Sequence, residues 1–115
     1  MIFDKKISVL VADDEQNGRM HITNLLTEYP NIRIDAKVET GTQLVSLLAK
    51  KTFDLAFIDI DMPEMTGLEA LHEASRNGYS LPFVIFVTAH AHHAASAFDL
   101  GADAAWWACA VTNMT

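Results

Sequence analysis

Hydrophobic positions in this chain fall into short blocks separated by stretches of helical spacing. Residues 6–12 (KISVLVA) are apolar nearly throughout, as a parallel strand covered on both faces requires. Ile22, Leu25, Leu26 and Tyr29 then recur at helical spacing, and Pro30-Asn31 ends that helix. Ile32, Ile34, Ala36 and Val38 alternate with Arg33, Asp35 and Lys37, which predicts an edge strand with one buried face. Leu44, Leu47 and Leu48 predict a second helix after Gly41, and residues 55–58 a third strand. Beyond a loop carrying Met62-Pro63, a helix buries Leu68 and Leu71 and closes at Asn77-Gly78. Residues 83–87 (FVIFV) form a fourth strand. Ala94, Ala97 and Phe98 mark a fourth helix that stops near Gly101, and residues 104–107 read as a fifth strand. Strands alternating with helices predict an α/β fold around a parallel sheet. This count leaves no residues for a fifth helix after Trp107.

Composition narrows the class. The 115 residues, half of them hydrophobic, suit one domain with one core. The formal net charge of −7 argues against nucleic-acid binding by this segment, since phosphate neutralisation needs clustered Lys and Arg. A single cysteine, Cys109, excludes an internal disulfide and a metal site built on several thiolates. The N-terminal residues lack the apolar core of a signal peptide, and the longest apolar runs have strand length. The expectation is a cytoplasmic protein without membrane association.

Three predicted strands end in polar residues that their apolar runs do not require. The first ends at Asp13-Asp14, the third at Asp59 and the fourth at Thr88. Open α/β sheets gather functional groups at the carboxyl ends of their strands. Any one of these residues alone suits a solvated loop; the three ends together point to a site. Carboxylates crowded there repel one another unless a cation lies between them, and Mg²⁺ accepts hard oxygen ligands. The ion would also shield an incoming phosphoryl group, to which Thr88 can donate its hydroxyl.

These residues carry a resemblance. FIDIDMPEMTG resembles the phosphorylation loop of response regulator receiver domains, with Asp59, Met62, Pro63 and Gly67 in the matching positions. VADDE resembles the family's paired metal-binding acids, Asp13 and Asp14. VIFVTAH resembles the strand that ends in the family's hydroxyl, here Thr88 followed by the small Ala89. The likeness runs over about residues 6–105 of one domain spanning 1–115, with an atypical segment at 105–115. It implies a doubly wound, flavodoxin-like sheet of five strands in the order 2-1-3-4-5, the last helix missing or truncated. Asp59 would be the phosphoacceptor, with Asp13, Asp14, Asp59 and the main-chain carbonyl of Asp61 holding Mg²⁺. Thr88 and Ala89 would bind the phosphoryl group, and Asp61 and His90 would tune the lifetime of the phosphoaspartate. The donor would be a phosphohistidine of a sensor histidine kinase, within a two-component phosphorelay. Residues 85–104 are also similar to receivers that precede LytTR-type DNA-binding domains.

The C-terminal segment departs from the pattern. Counting on from Gly101-Ala102, the family's lysine position falls on Ala108, its proline on Cys109 and its aromatic switch position on Ala105. Without an ammonium facing the phosphoryl group, a charge-assisted contact to the loop carrying Thr88 is missing. Apolar surface left uncovered beside Trp106 and Trp107 suggests self-association through the C-terminal face. His90, His92 and His93 lack a carboxylate or thiolate spaced to join them as metal ligands, and His72 suits a helix surface or a satisfied core position rather than a catalyst. A degenerate receiver that binds partners without phosphorylation is the main alternative. Asp59-Ile60-Asp61 also resembles the nucleophile motif of haloacid-dehalogenase-like phosphatases. In those enzymes, however, the paired acids and a lysine follow the nucleophile, and no lysine occurs here after Lys51. The expectation is a switch rather than an enzyme.

Overall fold

The computed structural model describes residues 6–88 and 107–111. β1 (Ile7–Ala12), β2 (Ile32–Val38), β3 (Leu55–Asp59) and β4 (Phe83–Thr88) form a parallel sheet in the order β2-β1-β3-β4. Three helices join them: α1 (Gln16–Leu26), α2 (Gly41–Lys50) and α3 (Gly67–Arg76). The order reverses after β1, because β2 lies on one side of it and β3 on the other. That reversal opens a crevice at the carboxyl ends of β1 and β3, where such sheets bind ligands.

Each face of the sheet is apolar because its central strands are covered on both sides. On one face Leu10, Ala12, Ala56, Ile58, Val84 and Phe86 pack with Leu44 and Leu48 of α2 and Leu68, Leu71 and Ala74 of α3. On the other, Val9, Val11 and Val87 meet Ile22 and Leu26 of α1. There Leu55, Phe57 and Ile85 are half-buried, and Phe83 is 48% exposed.

Three expectations from the sequence need correction. Leu25 and Tyr29 follow helical spacing, yet both are exposed, and α1 ends at Leu26 with Gly18, Ile22 and Leu26 inward. The chain turns after α1 through Tyr29 N–H to Leu26 O and Ile32 N–H to Tyr29 O, both 3.0 Å, which carries Tyr29 off the helical face. β2 is an edge strand as predicted, but it does not bury a single face. Its register with β1 jumps from Val9↔Ile34 to Leu10↔Ala36, leaving Asp35 as an extra residue. An inserted residue inverts the side-chain parity beyond it. Ile32 and Ile34 therefore pack on the α1 side, and Ala36 and Val38 on the α2–α3 side. Asp35, left over, bonds Arg33 and the Ser8 hydroxyl, which hold its carboxyl down at about 2.

The third correction concerns the C-terminal segment. The backbone paired with β4 is β5 (Trp107–Val111), so it starts where the expected strand ends. Ala108 lies opposite Ile85, and Val111 lies abreast of Thr88. The predicted helix through Ala94, Ala97 and Phe98 falls outside the described residues, as do Ala89, His90, His92, His93, Ala105 and Trp106.

Candidate functional site

β1 and β3 are adjacent and in register, with Ala12 opposite Ile58. The residues that follow, Asp13-Asp14 and Asp59, therefore emerge side by side. Carboxylate oxygens of Asp13, Asp14 and Asp59 lie within 4.8 Å of one another, the grouping that the sequence proposed. Asp13 is buried at 6% exposure, Asp59 is half-buried and Asp14 faces solvent. Val87 of β4 is the partner of Asp59, so Thr88 follows one residue beyond, at the strand end where a phosphoryl-binding hydroxyl was expected.

Burial and mutual repulsion set the electrostatics. Burial, followed by the Asp13 carboxylate, pushes Asp59 up to about 7 against a bonding contribution from the Asp61 N–H. Burial also raises Asp13, and the N–H of Glu15 partly offsets it. Both shifts mark a site short of positive charge. A small divalent cation suits this donor set of hard oxygens, two of which lie partly open to coordinating water. Among the described residues no other group of three His, Cys, Asp or Glu side chains converges in this way.

The loop after Asp59 is held by its own backbone. The Asp61 N–H donates to Asp59 Oδ1 at 3.2 Å, Met62 N–H to Ile60 O at 3.2 Å, and Gly67 N–H to Ile60 O at 2.9 Å. Ile60 and Met62 are buried at 1% and 6% exposure, anchoring the loop on the core. Its far end enters α3 through a capping box, in which Thr66 and Glu69 satisfy each other's N–H groups. Between them Met65 N–H bonds Pro63 O at 2.7 Å across Glu64, whose φ is +71°. A non-glycine residue in this tight left-handed turn is strained. Glu64→Gly is expected to stabilise the domain by about 1 kcal/mol, read as a higher urea midpoint.

Sequence reading missed two neighbours of the acids. Arg19 donates from Nη1 to the Asp13 carbonyl at 2.7 Å, and Gly18 lies directly against the Asp13 carboxylate. A basic residue in the first turn of the helix that follows the acids was the available signal for Arg19. Asp61 is exposed and outside the carboxylate group, although its N–H touches Asp59. His72 is exposed on α3 beside a shallow cavity of about 350 Å³, in keeping with the helix-surface reading.

Comparison with known proteins agrees with this geometry. Residues 9–105 match the response regulator receiver domain family. An uncharacterised response regulatory protein of Vibrio cholerae is 32% identical over 99 residues, covering 85% of this chain and 38% of that protein. The chain thus spans about two fifths of the length of the curated relatives it matches. The signal receiver domain of the response regulator NarL from Mycobacterium tuberculosis has the same fold. It gives a TM-score of 0.78 at 21% identity, over 96% of this chain and 86% of that one. A chain in the crystal structure of the P1 domain of CheA3 with CheY6 from R. sphaeroides gives 0.72 at 27% identity, over 93% and 82%. With the family's sequence match spanning most of its length and its acids gathered at the strand ends of the same fold, the chain belongs to the response regulator receiver domain family.

Proposed function

We propose that this domain accepts a phosphoryl group on Asp59 from a phosphohistidine of a sensor histidine kinase, and that the modification acts as a signalling switch. The observation that supports it most is the convergence of Asp13, Asp14 and Asp59, from two strand ends, within 4.8 Å. Asp13, Asp14 and Asp59, with the main-chain carbonyl of Asp61, would hold Mg²⁺. When bound, the ion neutralises charge on the phosphoryl oxygens and keeps Asp59 ionised at neutral pH.

The chain's own residues supply the rest. A carboxylate oxygen of Asp59 attacks phosphorus as the bond to the donor nitrogen breaks; the electron pair stays with the donor ring, whose other nitrogen carries a proton, leaving an aspartyl phosphate and a neutral histidine. The Asp61 N–H, 3.2 Å from Asp59 Oδ1, orients that carboxylate. Thr88 donates its hydroxyl to a phosphoryl oxygen, beside Ala89, and Asp61 and His90 govern access of the water that hydrolyses the product. Output is a separate matter. No lysine follows Lys51, so neither Ala108 nor Val111, abreast of Thr88, supplies an ammonium to couple phosphorylation to the β4 end. This favours an intact acceptor with weakened propagation. The complex of a CheA3 P1 domain with CheY6 supports a domain of that kind as partner.

Incubation with a small acyl-phosphate donor is expected to label the parent chain only with Mg²⁺ present, and Asp59→Asn not at all. Intact-mass measurement reads the added phosphoryl group. An unlabelled parent favours a phosphorylation-independent interaction module, and labelling that persists in Asp59→Asn removes Asp59 from the role.

A further inference from the structure

We propose that Gly18 and Arg19, on the first turn of α1, are positioning residues that fix Asp13 for cation binding; this rests on the metal site proposed above. Asp13 differs from Asp14 in being buried, so solvent-side rotamers are closed to it and its surroundings decide where its oxygens point. Its main chain is gripped from two directions. Asp13 N–H donates to Val38 O at 3.0 Å, and Asp13 O accepts from Arg19 Nη1 at 2.7 Å. Arg19 is itself largely covered, with its side chain 17% exposed, and its Nη2 lies 3.9 Å from Glu39 Oε2 beyond β2. One guanidinium therefore spans from the end of β1 to the segment after β2, closing over the loop that carries both acids.

The side chain of Asp13 is fixed just as closely. Oδ1 accepts from the Glu15 N–H at 2.9 Å, and Oδ2 lies against Gly18. A Cβ at position 18 would meet Asp13 Oδ2 at 2.3 Å, Cγ at 2.9 Å and Oδ1 at 3.2 Å. All three nearest atoms belong to Asp13, so the space kept free by Gly18 is the space its carboxylate occupies. Helix propensity argues the opposite way, since alanine is the better residue inside a helix. A glycine retained only for α1 packing would have other neighbours at these distances.

Ligand-orienting contacts of this kind commonly alter metal affinity by about 10–100-fold when removed. Mg²⁺ titration of the intact chain by calorimetry, alongside urea unfolding without metal, separates positioning from folding. Gly18→Ala is expected to weaken Mg²⁺ binding by about tenfold or more under conditions where its metal-free unfolding curve shows the chain folded. Arg19→Gln is expected to weaken it by about tenfold, and Arg19→Lys, which keeps a donor for the Asp13 carbonyl, to recover part of the loss. If Gly18→Ala does not fold, the Arg19 pair still decides the matter. Variants that bind within twofold of the parent overturn the inference alone. A parent chain that does not bind Mg²⁺ overturns the metal site and this inference with it.

Discussion

Replacing Asp59 with Asn is expected to make the metal-free domain more stable than the parent at pH 8, and no more stable at pH 3. Asp59 titrates at about 7 in the folded chain against 3.8 for an ordinary aspartate. Its folded value is raised, so the folded state holds the proton more tightly than the unfolded state does. Stability from this group is present in full below about pH 4 and is lost as pH rises to about 7, at roughly 1.4 kcal/mol per pH unit. Over that window the limit is about 4 kcal/mol, and solvent at the half-buried carboxyl reduces it to about 2 kcal/mol. Asn keeps the shape without the charge, so the variant's profile should decline less than the parent's over that window, keeping only the part that Asp13, also raised by burial, contributes. Saturating Mg²⁺ should reverse the order. At a concentration of about 100 Kd the parent gains about 2.7 kcal/mol, and the Asn variant, one ligand short, gains far less. Urea unfolding at a series of pH values, with and without Mg²⁺, reads both effects. A parent profile that is flat between pH 4 and pH 7 would remove burial and crowding as the physical basis of the site.

That site was largely legible in the sequence because strand ends are easy to find when the strands are continuous apolar runs. Residues 6–12, 55–58 and 83–87 show such runs, so Asp13, Asp14, Asp59 and Thr88 were placed at one edge before any pairing was known. Parity was not legible in β2. Its alternation at Ile32, Ile34, Ala36 and Val38 is uninterrupted, and the shift at Asp35 arises from pairing with β1. Nor was the fate of Leu25 and Tyr29, since helical spacing marks a possible face and not what covers it. β5 shows the same limit, because local pattern could not fix which residue stands abreast of Thr88. The contributions of Gly18 and Arg19 depend on where α1 returns across the end of β1. Short-range pattern therefore located the acids, and long-range packing showed what surrounds them.

Gly67 offers the sharpest test of that packing, because it joins Asp59 to the frame. As the first residue of α3 it sits over the peptide of Asp59 itself. A Cβ there would lie 2.5 Å from Asp59 O and 2.7 Å from Ile58 Cγ2. The first distance is about 0.9 Å inside ordinary van der Waals contact, and its partner is backbone in a central strand. The strand cannot yield without disturbing its neighbours, and the helix cannot yield without losing Gly67 N–H to Ile60 O and the Thr66–Glu69 cap. Gly67→Ala is therefore expected to destabilise the domain by about 3 kcal/mol, as overpacking at a rigid contact does. Gly78→Ala is the control: its φ is +79°, yet nothing lies within 4 Å of the added Cβ. The left-handed backbone alone should cost about 1 kcal/mol there. The two variants should also separate in chemistry. Gly78 is remote from Asp59 in the chain and closes the far end of α3, so its variant should label with the parent's rate once folded. Gly67→Ala moves the acceptor by a fraction of an ångström to about 1 Å, and a displacement of that size can slow transfer by on the order of 10²-fold. Labelling rates measured well below the unfolding transition would show it, and equal rates in the two variants would mean that α3 does not position Asp59.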